Sequence, residues 1–136
     1  MEILFNLMAL VTVLTIKHFL ADFTPLQSHY MLENKGKYGH WGGISHSGIH
    51  ALLSFVVLFV STDMNMDTFK VILYLTIGEF FVHYHMDWFK ESYNRINGWK
   101  PTDYQFWILF GIDQLVHHLT YVAMILIYAS QILHLN

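Results

Sequence analysis

Glu79, His83 and Asp87 stand four residues apart at the end of a long apolar run, in the stretch Gly78-Glu79-Phe80-Phe81-Val82-His83-Tyr84-His85-Met86-Asp87-Trp88-Phe89-Lys90. On a helix that spacing stacks the three side chains on one face, with Lys90 one turn further on. The same His-x-x-x-Asp spacing occurs near the front of the chain, at His18 and Asp22. Two more pairs at this spacing, His46/His50 and Asp113/His117, lie in the remaining apolar runs. Polar groups aligned inside apolar helices point to a metal, a proton path or a buried network. The four pairs offer five imidazoles and three carboxylates. That set suits one or two divalent transition-metal ions, with Zn, Mn or Fe favoured by mixed nitrogen and oxygen ligands without sulfur. Helix bundles build two-metal cores from such pairs. Glu79 is the candidate general base, with ligand or partner of a ligating His as its other readings.

The composition sets the environment. The chain has 136 residues, 54% hydrophobic and only 12% charged, where soluble domains carry about 25%. The class is therefore membrane rather than soluble bundle, and the length suggests one domain, residues 1–136. A net charge of -3 gives no reason to expect nucleic acid. Without cysteine, disulfides and thiolate metal sites are excluded. The N-terminus makes a poor secretory signal, because Glu2 stands where a basic residue is expected and no small-x-small cleavage site follows. The first run is expected to be a retained helix.

Four apolar runs predict four helices, at about 2–23, 45–61, 68–90 and 104–133. A spanning helix needs about 20 mainly apolar residues. The first, third and fourth runs reach that, and the second is short and needs its flanks or a thinned bilayer. Pro25 and the glycines at 36, 39, 42 and 43 mark residues 24–44 as a loop, 63–67 as a polar turn follows, and Asn97-Gly98 with Pro101 marks 93–103 as another loop. The expected fold is an all-α integral membrane four-helix bundle. Lys35 and Lys37 in the first loop, and Lys90, Arg95 and Lys100 around the third, face Lys70 alone on the other side. The positive-inside rule then puts these loops in the cytoplasm and both termini outside, in a bacterial inner membrane. Trp41, Trp88, Trp99 and Trp107 lie near the same side, as interfacial aromatics do. On this topology all four polar pairs reach a similar depth from one leaflet. The order of pairs also reads as an internal repeat, two helix hairpins related by a pseudo-twofold along the membrane normal.

The ordered set His18-x-x-x-Asp22-Phe23 with Gln27 and Lys35, His46-x-x-x-His50, His83-x-x-x-Asp87-Trp88-x-Lys90 and Asp113-Gln114-x-x-His117 resembles an uncharacterised bacterial and phage family of small polytopic membrane proteins, a domain-of-unknown-function family. The resemblance covers most of the chain. It implies membrane location and the importance of these positions, and it supplies no activity. More loosely, the pattern is similar to membrane-bound metal-dependent hydrolases.

A single His in an apolar helix is more often a hydrogen-bonded packing residue than a ligand, and a structural His–Asp network is the plain alternative to a metal site. His85 and His118 fall off the polar faces, and His29, His40 and His134 are expected in solvent. The leading expectation is a metal-dependent hydrolase at the cytoplasmic leaflet, acting on a lipid or phosphate-bearing substrate. His18, Asp22, His46, His50, His83, Asp87, Asp113 and His117 would hold metal. Gln27, Lys35, Lys90 and Gln114 would position an anionic head group, although snorkelling and positive-inside placement also explain Lys17 and Lys90. A metal-ion or proton transporter, a haem cytochrome and a non-catalytic interaction protein are the alternatives. The outer halves of the helices carry almost no ionisable groups, which disfavours transport, and His–Asp pairs suit a small cation better than a porphyrin.

Overall fold

The computed structural model describes residues 1–63 and 65–133, so Met64 of the polar turn and His134 lie outside the described residues. Five helices follow one another: α1 (Glu2–Phe23), α2 (His29–Asn34), α3 (Trp41–Val60), α4 (Met66–Asn97) and α5 (Tyr104–Leu133). No strand occurs among the described residues.

The helix ends are set by capping chemistry, and they correct the expected boundaries. The first loop holds α2, whose N-terminus is capped by Ser28 accepting from the Met31 amide. α3 starts at Trp41 rather than residue 45, because the His40 ring accepts the Gly42 amide at 3.1 Å and serves as its cap. His40 is thus a structural residue rather than a solvated one. Asn65 caps α4 by accepting the Asp67 and Thr68 amides. α4 runs to Asn97 rather than stopping near residue 90. Nothing in its last turns breaks a helix until Gly98, which takes the left-handed conformation (φ 67°). There Gly98 N–H donates to Arg95 O and Trp99 N–H to Asn94 O, satisfying the terminal carbonyls.

The four long helices touch in a closed ring, α1 on α3, α3 on α4, α4 on α5 and α5 back on α1, while α2 lies against α3. The ring has two unlike halves. Around Leu14, Leu58, Ile72, Met124, Ile125 and Tyr128 it is filled by a conventional apolar core. Towards the C-terminal ends of α1 and α4 and the N-terminal ends of α3 and α5 the interior is polar. α4 carries this inversion most clearly. Its buried positions include Thr76, Glu79, His83, Asp87, Lys90 and Asn94, a polar stripe at helical spacing. Its exposed positions include Leu73, Tyr74, Ile77, Phe81 and Val82. A polar interior beneath an apolar surface is the reverse of a soluble bundle.

Among the described residues, three helices are long and apolar enough to cross a membrane: Ile3–Phe23, Trp41–Val60 and Tyr104–Gln131. α4 is as long, with 32 residues, but its interior charges lower its apolar character.

Candidate metal centre

The antiparallel ring brings the four polar pairs to one level. His50 and His83 have ring centroids 3.9 Å apart, His83 and His117 4.0 Å, and His18 lies 5.0 Å from His117 and 5.1 Å from His50. All five rings are buried, as are Asp87 and Asp113, and the Asp22 side chain is 5% exposed.

Two groups of donors converge within this cluster. Asp22, His46, His50 and His83 each offer a ligand atom within 4.8 Å of the others, and His83, Asp87 and His117 form a second such group. His83 belongs to both. The contacts within and between them are short, but of these only His46–His83 has hydrogen-bond geometry. His46 Nε2 lies 3.0 Å from Asp22 Oδ1, 3.1 Å from Asp87 Oδ2 and 3.2 Å from His83 Nε2. A single ring nitrogen has at most one proton for three neighbours. His50 Nε2 is 3.3 Å from Asp22 Oδ1, yet neither atom has a hydrogen-bond partner with proper geometry, and the same holds for Asp87 Oδ2 and His117 Nε2. Such buried orphans are costly. Ligands bonded to one ion at about 2.0–2.2 Å are themselves separated by about 3–3.6 Å. The observed 3.0–3.3 Å contacts around Asp22 and His46 fit that spacing.

His18 and Asp113 fall outside both groups. His18 Nε2 approaches Asp22 Oδ2 at 3.2 Å and Gln114 Oε1 at 3.1 Å, while its Nδ1 meets the Tyr121 hydroxyl at 3.0 Å. It orients the Asp22 carboxylate from behind. Asp113 lies 3.2 Å from His117 Nε2 and accepts from Lys90 at 2.9 Å.

Charge compensation is more local than the sequence suggests. Lys35 and Lys90 are not solvated. Both are buried, Lys35 Nζ at 3.4 Å from Asp87 and Lys90 Nζ at 3.3 Å from Asp87 and 2.9 Å from Asp113. Asp87 and Asp113 therefore have lysine partners. Asp22 has none: among the described residues its ion-pair neighbours are His18, His46 and His50 only. With neutral imidazoles, it is the carboxylate that lacks a counter-charge.

Lys35 reaches the site because α2 and its flanks fold back over the bundle end as a strap. Ser92 Oγ donates to Gly36 O at 3.1 Å and Arg95 to the same carbonyl at 3.2 Å. Gly36 is needed there, since a Cβ would come within 2.5 Å of Glu91 Cβ. The Gln27 amide bridges the strap to α1. With the amide turned so that its oxygen faces Lys35, its nitrogen donates to the Asp22 carbonyl at 3.0 Å and its oxygen accepts from Lys35 Nζ at 3.1 Å.

Behind the histidines, on the apolar side, Lys17 is enclosed by four oxygens: Glu79 Oε1 at 2.7 Å, Ser54 Oγ at 2.9 Å, Tyr121 OH at 3.0 Å and His50 O at 3.1 Å. Lys17 does not snorkel. Glu79 belongs to neither ligand group and is ion-paired with Lys17. Ser54 and Tyr121 were missed by sequence reasoning, though their signal was present. Each lies four residues beyond a polar pair, extending His46/His50 and Asp113/His117 by one turn. His85 and His118 do lie off the main cluster. His85 contacts Tyr38 and the Phe81 carbonyl, and His118 is half-buried beside His18.

A cavity of about 420 Å³ opens beside Asp22. Its polar lining is Gln27, Lys35, Lys90, Glu91 and Gln114, and its aromatic lining is Phe23, Phe106, Trp107 and Phe110. All four residues expected to hold an anionic group thus share one cavity adjoining the ligands, while Glu79 does not line it.

No curated protein and no solved structure matches this chain. A family match does, spanning residues 10–136 and so taking in every one of the site positions. The chain belongs to the family described as "Protein of unknown function (DUF3307)".

Proposed function

We propose that this protein is an integral membrane, metal-dependent hydrolase acting at the cytoplasmic leaflet on a lipid or phosphate-bearing substrate. One observation carries the reading: His46 Nε2 is crowded by three would-be partners beside Asp22, a buried carboxylate without a lysine. A divalent cation held by Asp22, His46, His50 and His83 resolves both features. The second group, His83, Asp87 and His117, shares His83, so a second ion would be coupled to the first. Zn, Mn or Fe suits these ligands. Such an ion activates water and polarises a phosphoryl or acyl oxygen. The chain's own residues do the rest. His18 orients Asp22, Gln27 ties the strap to α1, and Lys90 and Lys35 face the cavity. Glu79 supports the site through Lys17 and Tyr121 in this reading rather than by touching substrate.

α4 serves as a fourth span in this reading, because its polar stripe is turned inward and its outer face is apolar. An even number of spans puts both termini on one side. With Lys35 and Lys90 buried in the site, Lys37, Arg95 and Lys100 still outnumber Lys70 at the opposite end. This supports a cytoplasmic site and outer termini. Reporter fusions after Asp63 and at the C-terminus are expected outside, and fusions within residues 93–100 inside. A cytoplasmic C-terminus overturns the orientation.

Protein reconstituted into anionic phospholipid vesicles tests the activity. Product release should stop on chelation, return with one of Zn, Mn or Fe, and stay absent in Asp22→Asn. Metal-loaded, folded protein that cleaves neither phosphate nor acyl esters would end the hydrolase reading.

A further inference from the structure

The cavity beside Asp22 has a chemistry of its own. Its polar wall is set inside the bundle, with Lys35 and Lys90 each about one-twentieth exposed. Its apolar wall reaches the outer surface, where Phe23 is 51% and Trp107 53% exposed. Those two residues belong to α1 and α5, adjacent helices of the ring. A ligand can therefore place a charged group at Lys90 and Gln27 while its apolar part leaves between α1 and α5, without passing through water. At about 420 Å³ the space is of ligand-binding size.

Charge decides which group fits. Three buried carboxylates (Asp22, Asp87, Asp113) face two ammonium groups (Lys35, Lys90), which leaves one net negative charge with the imidazoles neutral. Glu91, which also lines the cavity 3.7 Å from Lys90 Nζ, has a side chain 36% exposed and its charge is screened by water. One divalent cation turns this into one net positive charge. The Lys17–Glu79 pair is neutral and does not alter the sum. A singly charged anion then brings the site to neutrality, and buried charge is tolerated best when balanced.

We infer that this cavity binds the phosphodiester group of a long-chain amphiphile, with the phosphate between Lys90, Lys35 and Gln27 and the chain along Phe23, Phe110 and Trp107. The inference rests on the metal reading above, because the bare site is negative and would repel the phosphate.

Trp107 provides a direct probe. The methyl phosphodiester of a long-chain alcohol brominated along its chain would be titrated into the purified, metal-analysed protein in uncharged detergent, with tryptophan emission as readout. The same chain bearing a quaternary ammonium group, and inorganic phosphate, serve as comparisons. The expected result is quenching at about tenfold lower concentration of the phosphodiester than of the ammonium amphiphile. Trp107→Phe, a conservative change at a surface position, should lose that selective component. Inorganic phosphate should not displace the amphiphile at matching concentration. Equal quenching by the two amphiphiles, an unchanged response in Trp107→Phe, or displacement by inorganic phosphate would each overturn the inference in metal-loaded protein. Protein found to lack metal would instead remove the reading on which it rests.

Discussion

The two halves of the ring fill their interiors by opposite means. In one half Leu14, Leu58, Ile72 and Met124 fill the interior, and any one of them is replaceable by another apolar side chain of its size. In the other half the interior is imidazole, carboxylate and ammonium, and each group is tied to particular partners. The boundary is Lys17, whose ammonium meets Glu79, Ser54 and Tyr121. The apolar half stabilises by area and shape. The polar half gains little net stability from its ion pairs, because desolvation offsets most of the attraction.

Perturbing the boundary should give the largest effect. Glu79→Leu leaves the Lys17 ammonium buried without a counter-charge and should cost about 3–5 kcal/mol, read as a fall in the thermal or denaturant midpoint in detergent. Lys17→Met/Glu79→Leu should recover most of that loss. If the double variant is no more stable than the single, the pair is not the compensated unit described here.

Next in size is the apolar half. Leu58→Ala should destabilise the bundle by about 2–5 kcal/mol through cavity formation while leaving metal content per folded chain unchanged. A proportional loss of metal would mean that the two halves are not separable.

A smaller and more local effect is expected at His18. It contacts Asp22 without joining the converging donors, so His18→Phe should weaken metal affinity about 10–100-fold rather than abolish it. Complete loss at saturating metal would make His18 a ligand. Tyr121→Phe, which removes the hydrogen bonds with His18 and the Lys17 ammonium, should cost about 1.5–3 kcal/mol of stability and shift metal affinity least.

Much of the polar half was legible in the sequence because helical periodicity is unforgiving. His18/Asp22, His46/His50, His83/Asp87 and Asp113/His117 share faces at helical spacing within runs long enough to be helices, and the ring brings all four pairs to one level. The role of each residue was less legible. Glu79 shares a face with His83 and Asp87, but its partner Lys17 is 62 positions away, and periodicity carries no information about contacts between helices. The glycines around Lys35 signal turns and predict a loop there. Only the strap's close approach to α4 at Gly36 turns that lysine into the interior. The apolar run ends near Lys90 and predicts the end of α4 there, whereas the helix continues on propensity until Gly98 supplies a stop.

The central claim is that the crowded donors around Asp22 and His46 are metal ligands rather than a hydrogen-bonded network. Elemental analysis of protein purified in mild detergent without chelator, paired with X-ray absorption at the bound metal's edge, tests it most directly. The prediction is one or two transition-metal ions per chain, nitrogen and oxygen ligands at about 2.0–2.2 Å, and loss of the metal in Asp22→Asn/His46→Gln with helical content retained. Wild-type protein that is folded and carries essentially no metal would contradict the claim, and the His–Asp cluster would then be a structural network alone.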